Sequence, residues 1–218
     1  MTNDTENHPA GQDGIVPIFA TPFAAVHTGA DREFNARLAG WCESQRALAA
    51  VPGDPLLFRG RSDLLESPDG GAGELRRLIL EQTSRIVAGL SVDDAKLGQL
   101  RPQVRGWCSI VQPNGHVPCQ HFTGAAWLAV YCVQAGAPDP AHPGAGVLRL
   151  YERRLGSVFR DASTAALKAP FRYGNHAWTP IAGALALFPA HVPHEVSVVR
   201  SATPLILVFA MIRFTEQG

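Results

Sequence analysis

From about residue 104 onward the chain is cut into short apolar runs by proline and glycine. That rhythm constrains the fold more than any other feature. The runs fall at 107–111, 125–133, 146–151, 175–179, 184–188, 195–199 and 205–214. Each has strand length and ends at turn-forming residues, and no helical stretch separates them. Such a pattern predicts an antiparallel sandwich or jelly roll and excludes a parallel βαβ sheet. Residues 125–133 are almost wholly apolar, as expected of a strand covered on both faces.

The first half reads differently. Asp31 is a suitable N-cap for a helix over 32–50, whose apolar positions Phe34, Leu38, Trp41 and Cys42 recur at helical spacing. A second helix is expected over 73–89, with Leu75, Leu78, Ile79, Thr83, Ile86 and Val87 on one face. Residues 15–19 read as a strand and 1–13 as a disordered lead-in. The predicted organisation is one domain over 14–218, helical over about 31–100, with a β-core over about 104–214.

Hydrophobic residues make up 46% of the 218, enough for a substantial core. Formal net charge is +0, and no basic stripe offers the footprint that phosphate backbones require, so nucleic acid is excluded as a general partner. The longest apolar run, 205–212, is too short to cross a bilayer as a helix. Cys42, Cys108, Cys119 and Cys132 include no CxxC pair, and residues 1–14 show no apolar leader segment. The expectation is a cytoplasmic protein with reduced thiols.

Five of the eight histidines lie in or beside the turns of the β-region: His116, His121, His176, His191 and His194. His121 immediately precedes a buried strand, and His194 follows another across Phe188-Pro189. Histidines at strand ends on distant parts of a barrel converge at its mouth. Neutral imidazoles there suit iron, zinc, copper or nickel. A non-haem Fe(II) site generally adds a carboxylate, yet no Asp or Glu occurs between Arg105 and Pro138. The third ligand is left among His116, Cys119 and water. His116 is favoured as a like imidazole. Cys119, two residues before His121, would point the same way on a regular strand.

Several segments resemble a family of 2-oxoglutarate- and Fe(II)-dependent oxygenases. They are the strand opened by Trp107, the loop to His121, Val130-Tyr131-Cys132-Val133 and the stretch from Gly146 to Arg154. Pro180-Ile181-Ala182-Gly183, Phe188-Pro189 and His194-Glu195-Val196 complete the resemblance, which covers roughly 15–214. It implies a double-stranded β-helix, a jelly roll of cupin type. His194 would be the distal metal ligand. His121 matches one member of a His-x-His pair: Cys119 replaces the first if it is the second, and Thr123 the second if it is the first. Tyr131 and Arg154 fall where the family has a strand tyrosine and an arginine that serve the cosubstrate. Two departures stand out. The arginine opening the last strand aligns near Pro204, leaving Arg200, Arg154 or Arg149 to hold the 2-oxoglutarate carboxylate, and the final asparagine is Ala210.

The resemblance implies that Fe(II) is held by His121, His194 and a third ligand such as His116. Oxidative decarboxylation of 2-oxoglutarate would then drive oxidation of a small molecule or a side chain. Two other classes remain open: a cupin-like metalloenzyme that does not use 2-oxoglutarate, and a non-catalytic β-sandwich that binds a ligand. Exposed sheet edges make a homodimer an expectation.

Overall fold

The computed structural model describes residues 20–48, 54–91, 93–137, 139–152 and 174–216. Its architecture is two antiparallel sheets with helices laid over one of them. The chain runs β1 (Ala24–His27), α1 (Arg32–Ala47), β2 (Leu57–Arg59), α2 (Ala72–Ala88), α3 (Asp94–Gly98), β3 (Leu100–Val111) and β4 (Val117–Gln120). It continues with β5 (Trp127–Gln134), β6 (Leu148–Tyr151), β7 (Asn175–Trp178), β8 (Ala184–Pro189), β9 (His194–Val196) and β10 (Leu205–Glu216). The larger sheet has the order β1-β8-β5-β10-β3-β2 and the smaller β4-β9-β6-β7. From β3 to β10 the chain crosses between the two sheets at every connection except β6–β7, which is the jelly-roll winding expected from the rhythm of short strands.

β10 is the spine of the larger sheet. It pairs with β3 along its full length, from Leu205 opposite Val111 to Glu216 opposite Leu100, and with β5 from Ile206 to Ile212. β5 is buried from Leu128 to Val133, as a strand covered on both faces must be. Its alternation divides the core. Ala129, Tyr131 and Val133 join a cluster beneath the helices with Leu38, Leu75 and Ile79. Leu128, Val130 and Cys132 join a second cluster between the sheets with Trp107, Phe188 and Phe209. Each fully buried leucine or phenylalanine contributes about 1.5–3 kcal/mol against exposure.

α1 starts where the sequence reading places it. Asp31 accepts a 2.7 Å hydrogen bond from the Phe34 amide and caps the helix. α1 ends at Ala47 rather than at residue 50, and α2 lies within one residue of its expected bounds. Strands β1, β2 and β4, of three or four residues each, were not read from the sequence. They are too short to show a period and exist through pairing with longer neighbours. The strand expected at 195–199 is shorter and starts one residue earlier, at His194. The segments expected at 1–13 and 15–19 lie outside the described residues.

Two glycines are set by geometry. Gly183 turns the chain into β8 at φ +80°, where a side chain is strained. A Cβ on Gly106 would stand 2.6 Å from Leu65 Cδ1 and 2.7 Å from the Phe209 carbonyl oxygen, so this position fixes how closely the 3-10 turn at Leu64–Glu66 approaches β3.

A buried polar link ties the helical layer to the sheet. Tyr131 donates to Asn35 Oδ1 at 2.7 Å, and Asn35 Nδ2 donates to the Asp31 carbonyl at 3.1 Å. Burial pushes the Tyr131 hydroxyl up to about 12. Tyr131→Phe leaves the Asn35 oxygen without this donor, and urea unfolding should show a loss of about 1–3 kcal/mol.

Candidate metal centre

The site begins with a turn. Pro189 ends β8, the Val192 amide donates to the Pro189 carbonyl, and β9 opens on His194. His194 is 0% exposed, and its ring lies among those of Phe188 at 5.3 Å, Phe122 at 5.8 Å and Phe209 at 6.3 Å, measured between centroids. It therefore points between the sheets. Nδ1 lies 2.9 Å from the Val192 carbonyl oxygen. A carbonyl only accepts, so Nδ1 carries the proton and the neutral ring keeps its lone pair on Nε2. That Nε2 is buried without a hydrogen-bond partner. A backbone carbonyl that fixes the tautomer behind a buried, unpartnered nitrogen is the arrangement of a metal-ligating histidine.

The remaining predicted residues are placed less directly. His121 follows β4 at once and is exposed. It is near enough to depress the His194 pKa, as the third cause after burial, which lowers it, and the Val192 bond, which raises it. His116 is also exposed, but at the opposite end of β4, four strand residues away or about 13 Å, so the structure does not bring it to His194. Cys119 is exposed as well. No group of three His, Cys, Asp or Glu side chains able to hold a metal occurs among the described residues.

Tyr131 belongs to the cluster under the helices, on the opposite face of β5 from His194, so its hydroxyl does not enter the space between the sheets. Arg154 lies outside the described residues. Arg200 is exposed beyond the far end of β9 and donates to Asn114 Oδ1 at 3.1 Å. Arg149 projects from the outer face of the smaller sheet toward Glu195, which also accepts a 2.6 Å bond from Tyr151. The arginines chosen from sequence that are described thus face away from His194.

Two arginines that sequence reasoning did not choose share the inward parity of β3 and β2. Arg105 stands two residues before inward-facing Trp107, opposite Met211, at the rim. Arg59 pairs with Ser109, and its guanidinium lies 4.1 Å over the Trp107 ring. Trp107 stacks on Phe209 at 5.6 Å and Phe209 on His194, so aromatic rings separate Arg59 from the imidazole. Arg105 also lines a cleft of about 430 Å³ with Arg61, Ser62, Asp63 and Glu66 beside the barrel. The sequence signal available for both was strand parity alone.

No protein-family model matches this sequence. No curated protein matches it either. Solved structures do. A prolyl-4-hydroxylase from Pseudomonas putida superposes at TM-score 0.56 and 15% identity, over 91% of this chain and 94% of that one. The epimerase SnoN of nogalamycin biosynthesis, described as non-haem and α-ketoglutarate-dependent, gives 0.59 and 13%, over 91% and 80%. A Trichoplax adhaerens prolyl hydroxylase, solved with a hypoxia-inducible-factor peptide, gives 0.57 and 11%, over 88% and 83%.

The fold is that of the 2-oxoglutarate- and Fe(II)-dependent oxygenases.

His194, with its open Nε2, is a single imidazole of the kind that suits a divalent first-row metal, and no group of side chains that would complete such a centre occurs among the described residues. Burial lowers the His194 pKa from its ordinary 6.5. The unfolded chain then takes up this proton at higher pH than the folded one. Folding stability is complete in this respect above pH 6.5 and falls as pH drops below it. Urea denaturation across pH 5–7 should show that slope, and His194→Gln should flatten it.

Proposed function

We propose that this protein is a non-haem metal oxygenase that uses 2-oxoglutarate to oxidise a small molecule or a side chain. The observation that carries the proposal is His194. Inside a jelly roll of oxygenase type, at the start of β9, it holds a desolvated lone pair between the sheets. Bound Fe(II), with 2-oxoglutarate and dioxygen, would supply the oxidising power.

The chain's own residues supply position and exclusion of water. The Val192 carbonyl holds the imidazole in the tautomer that binds a cation, and Phe122, Phe188 and Phe209 keep bulk water from it. His121, exposed just after β4, is the imidazole that the reading assigns as second ligand. A dicarboxylate also needs a cation. Arg105 at the rim has the inward parity for that work, which Arg200, bonded to Asn114, lacks. The same rim would receive the substrate. The similar structures include hydroxylases of prolyl residues and an epimerase of antibiotic biosynthesis, so a peptide side chain and a small metabolite are both in range.

No helix among the described residues is long and apolar enough to cross a membrane. All four cysteines are free, in keeping with a reducing cytoplasm as the working compartment. The edge strands, β1 and β2 of the larger sheet and β4 and β7 of the smaller, are where a homodimer would form.

A second reading has its own support. Aromatic and aliphatic side chains fill the described space between the sheets, with Trp107 1% exposed and Phe188, Phe209 and Leu207 each 0%. That favours a cupin-like metalloenzyme without 2-oxoglutarate. The two readings separate in a thermal-shift and succinate assay. The oxygenase reading expects one Fe(II) or Co(II) per chain, a further Tm rise with 2-oxoglutarate or N-oxalylglycine, and succinate release. His194→Ala, which removes the proposed ligand itself, should abolish this metal binding. Metal binding with no response to either keto acid would support the second reading. No metal binding at all would overturn both.

A further inference from the structure

Arg59 is a cation without a counter-ion. It closes β2 at the edge of the larger sheet, opposite Ser109, and shares the inward parity of Trp107. Its guanidinium lies 4.1 Å over the Trp107 ring, which is 1% exposed and flanked by Phe209 and Phe122. No described residue forms a hydrogen bond or ion pair with that guanidinium. The carboxylates nearest in sequence are engaged elsewhere. Asp54 accepts from the Leu56 amide, and Asp63 accepts two bonds from Arg61. β3, β4 and β5 carry no Asp or Glu at all. Burial lowers the Arg59 pKa from its ordinary 12.5, and no neighbouring charge offsets the effect.

Stacking makes this unpaired charge useful. A free arginine side chain samples many rotamers, whereas a guanidinium laid on an aromatic ring is held in one plane. The ring covers a face of the ion, and the N–H donors project along its edge. A carboxylate meets such an edge with two parallel hydrogen bonds, and the stacking has already removed much of the rotamer freedom that binding would otherwise restrict. A single cation balances the single charge of a carboxylate, whereas a phosphate ester carries close to two negative charges.

We propose that Arg59, laid on Trp107 at the edge of the sandwich, binds the carboxylate of an organic acid, and that this acid is the molecule on which the protein acts. Trp107 and Phe209 stand between Arg59 and His194, so the acid at Arg59 is a second molecule, distinct from the dicarboxylate assigned to Arg105. The proposal names the class of substrate that the proposed function leaves open. It rests on that reading only for calling the acid a substrate, and the binding itself requires no metal.

Phenylacetate, 2-oxoglutarate and inorganic phosphate are titrated at constant ionic strength into the protein as purified and into Arg59→Gln, Arg59→Lys, Arg61→Gln and Arg105→Gln. Calorimetry gives the affinities. Tryptophan emission reports on the indole beneath the guanidinium, with Trp107→Phe identifying its share of the signal from the four tryptophans. Phenylacetate should bind saturably and perturb the Trp107 emission. Arg59→Gln should weaken that binding by about tenfold or more, and Arg59→Lys, which keeps the charge but loses the fork, by about threefold or more. Arg61→Gln, which removes a neighbouring charge already paired with Asp63, should change it by less than about threefold. Far-UV circular dichroism and Tm accompany each variant. A guanidinium that only covers the indole would lower Tm when replaced and leave phenylacetate affinity unchanged, and that result overturns the proposal. So does the absence of saturable phenylacetate binding, Arg59-dependent binding of phosphate that is equally tight, or a loss seen in Arg105→Gln and not in Arg59→Gln. Displacement of phenylacetate from Arg59 by 2-oxoglutarate overturns the assignment to a second acid. Failure of the oxygenase reading shows separately, as no succinate release while Arg59-dependent phenylacetate binding persists.

Discussion

Hydrogen bonding along both edges of β10 is the constraint on which the rest of the structure depends. Twelve residues pair with β3 on one side and seven with β5 on the other, so the strand's backbone groups find partners within the larger sheet. With its backbone satisfied, β10 can bury almost every side chain from Leu205 to Ile212 on two faces at once. One face receives the helices and the other receives the smaller sheet. The aromatic ladder that frames the candidate centre stands on this strand, because Phe209 is stacked between Trp107 and His194.

The smaller sheet is held less firmly, and the chemistry is placed there. β4, β9, β6 and β7 are three or four residues long, and β9 contributes only His194, Glu195 and Val196. Short strands tolerate an irregular register because few pairs resist it. The irregularity in β4 costs little and has a large consequence: it moves Gln120 and Phe122 inward and leaves Cys119 and His121 toward solvent. The larger sheet thus supplies a rigid wall, while a local shift in the smaller one selects which polar groups meet across the interior.

Much of the architecture was legible in the residues. The Asp31 cap, the two amphipathic helices and the long apolar strands β5, β8 and β10 announce themselves through period and punctuation. His194 was also legible, since a histidine delivered by a short loop after a buried strand has one face of the barrel to enter. The other site residues were not. Reading Cys119 and His121 as inward rested on a regular strand, and the bulge broke that premise. Tyr131 lies on an apolar strand buried on both faces, where sequence cannot tell the helix side from the barrel side. Arg59 and Arg105 carry no signal beyond strand parity, and pairing with Ser109 and Met211 decides that this parity is the inward one.

The sequence by itself determined the class of fold, the order of helices before strands, the helix cap and one buried imidazole. Those properties depend on neighbours a few residues away, where the periods of backbone geometry act directly. Only the tertiary structure decided which groups surround that imidazole. Convergence across a sheet is set by register, and shifting register by a single residue exchanges every inward side chain for an outward one. Phe122, Phe188 and Phe209 come from three separate strands or turns to enclose His194, and Gln120 stands opposite it only because β4 and β9 pair as they do.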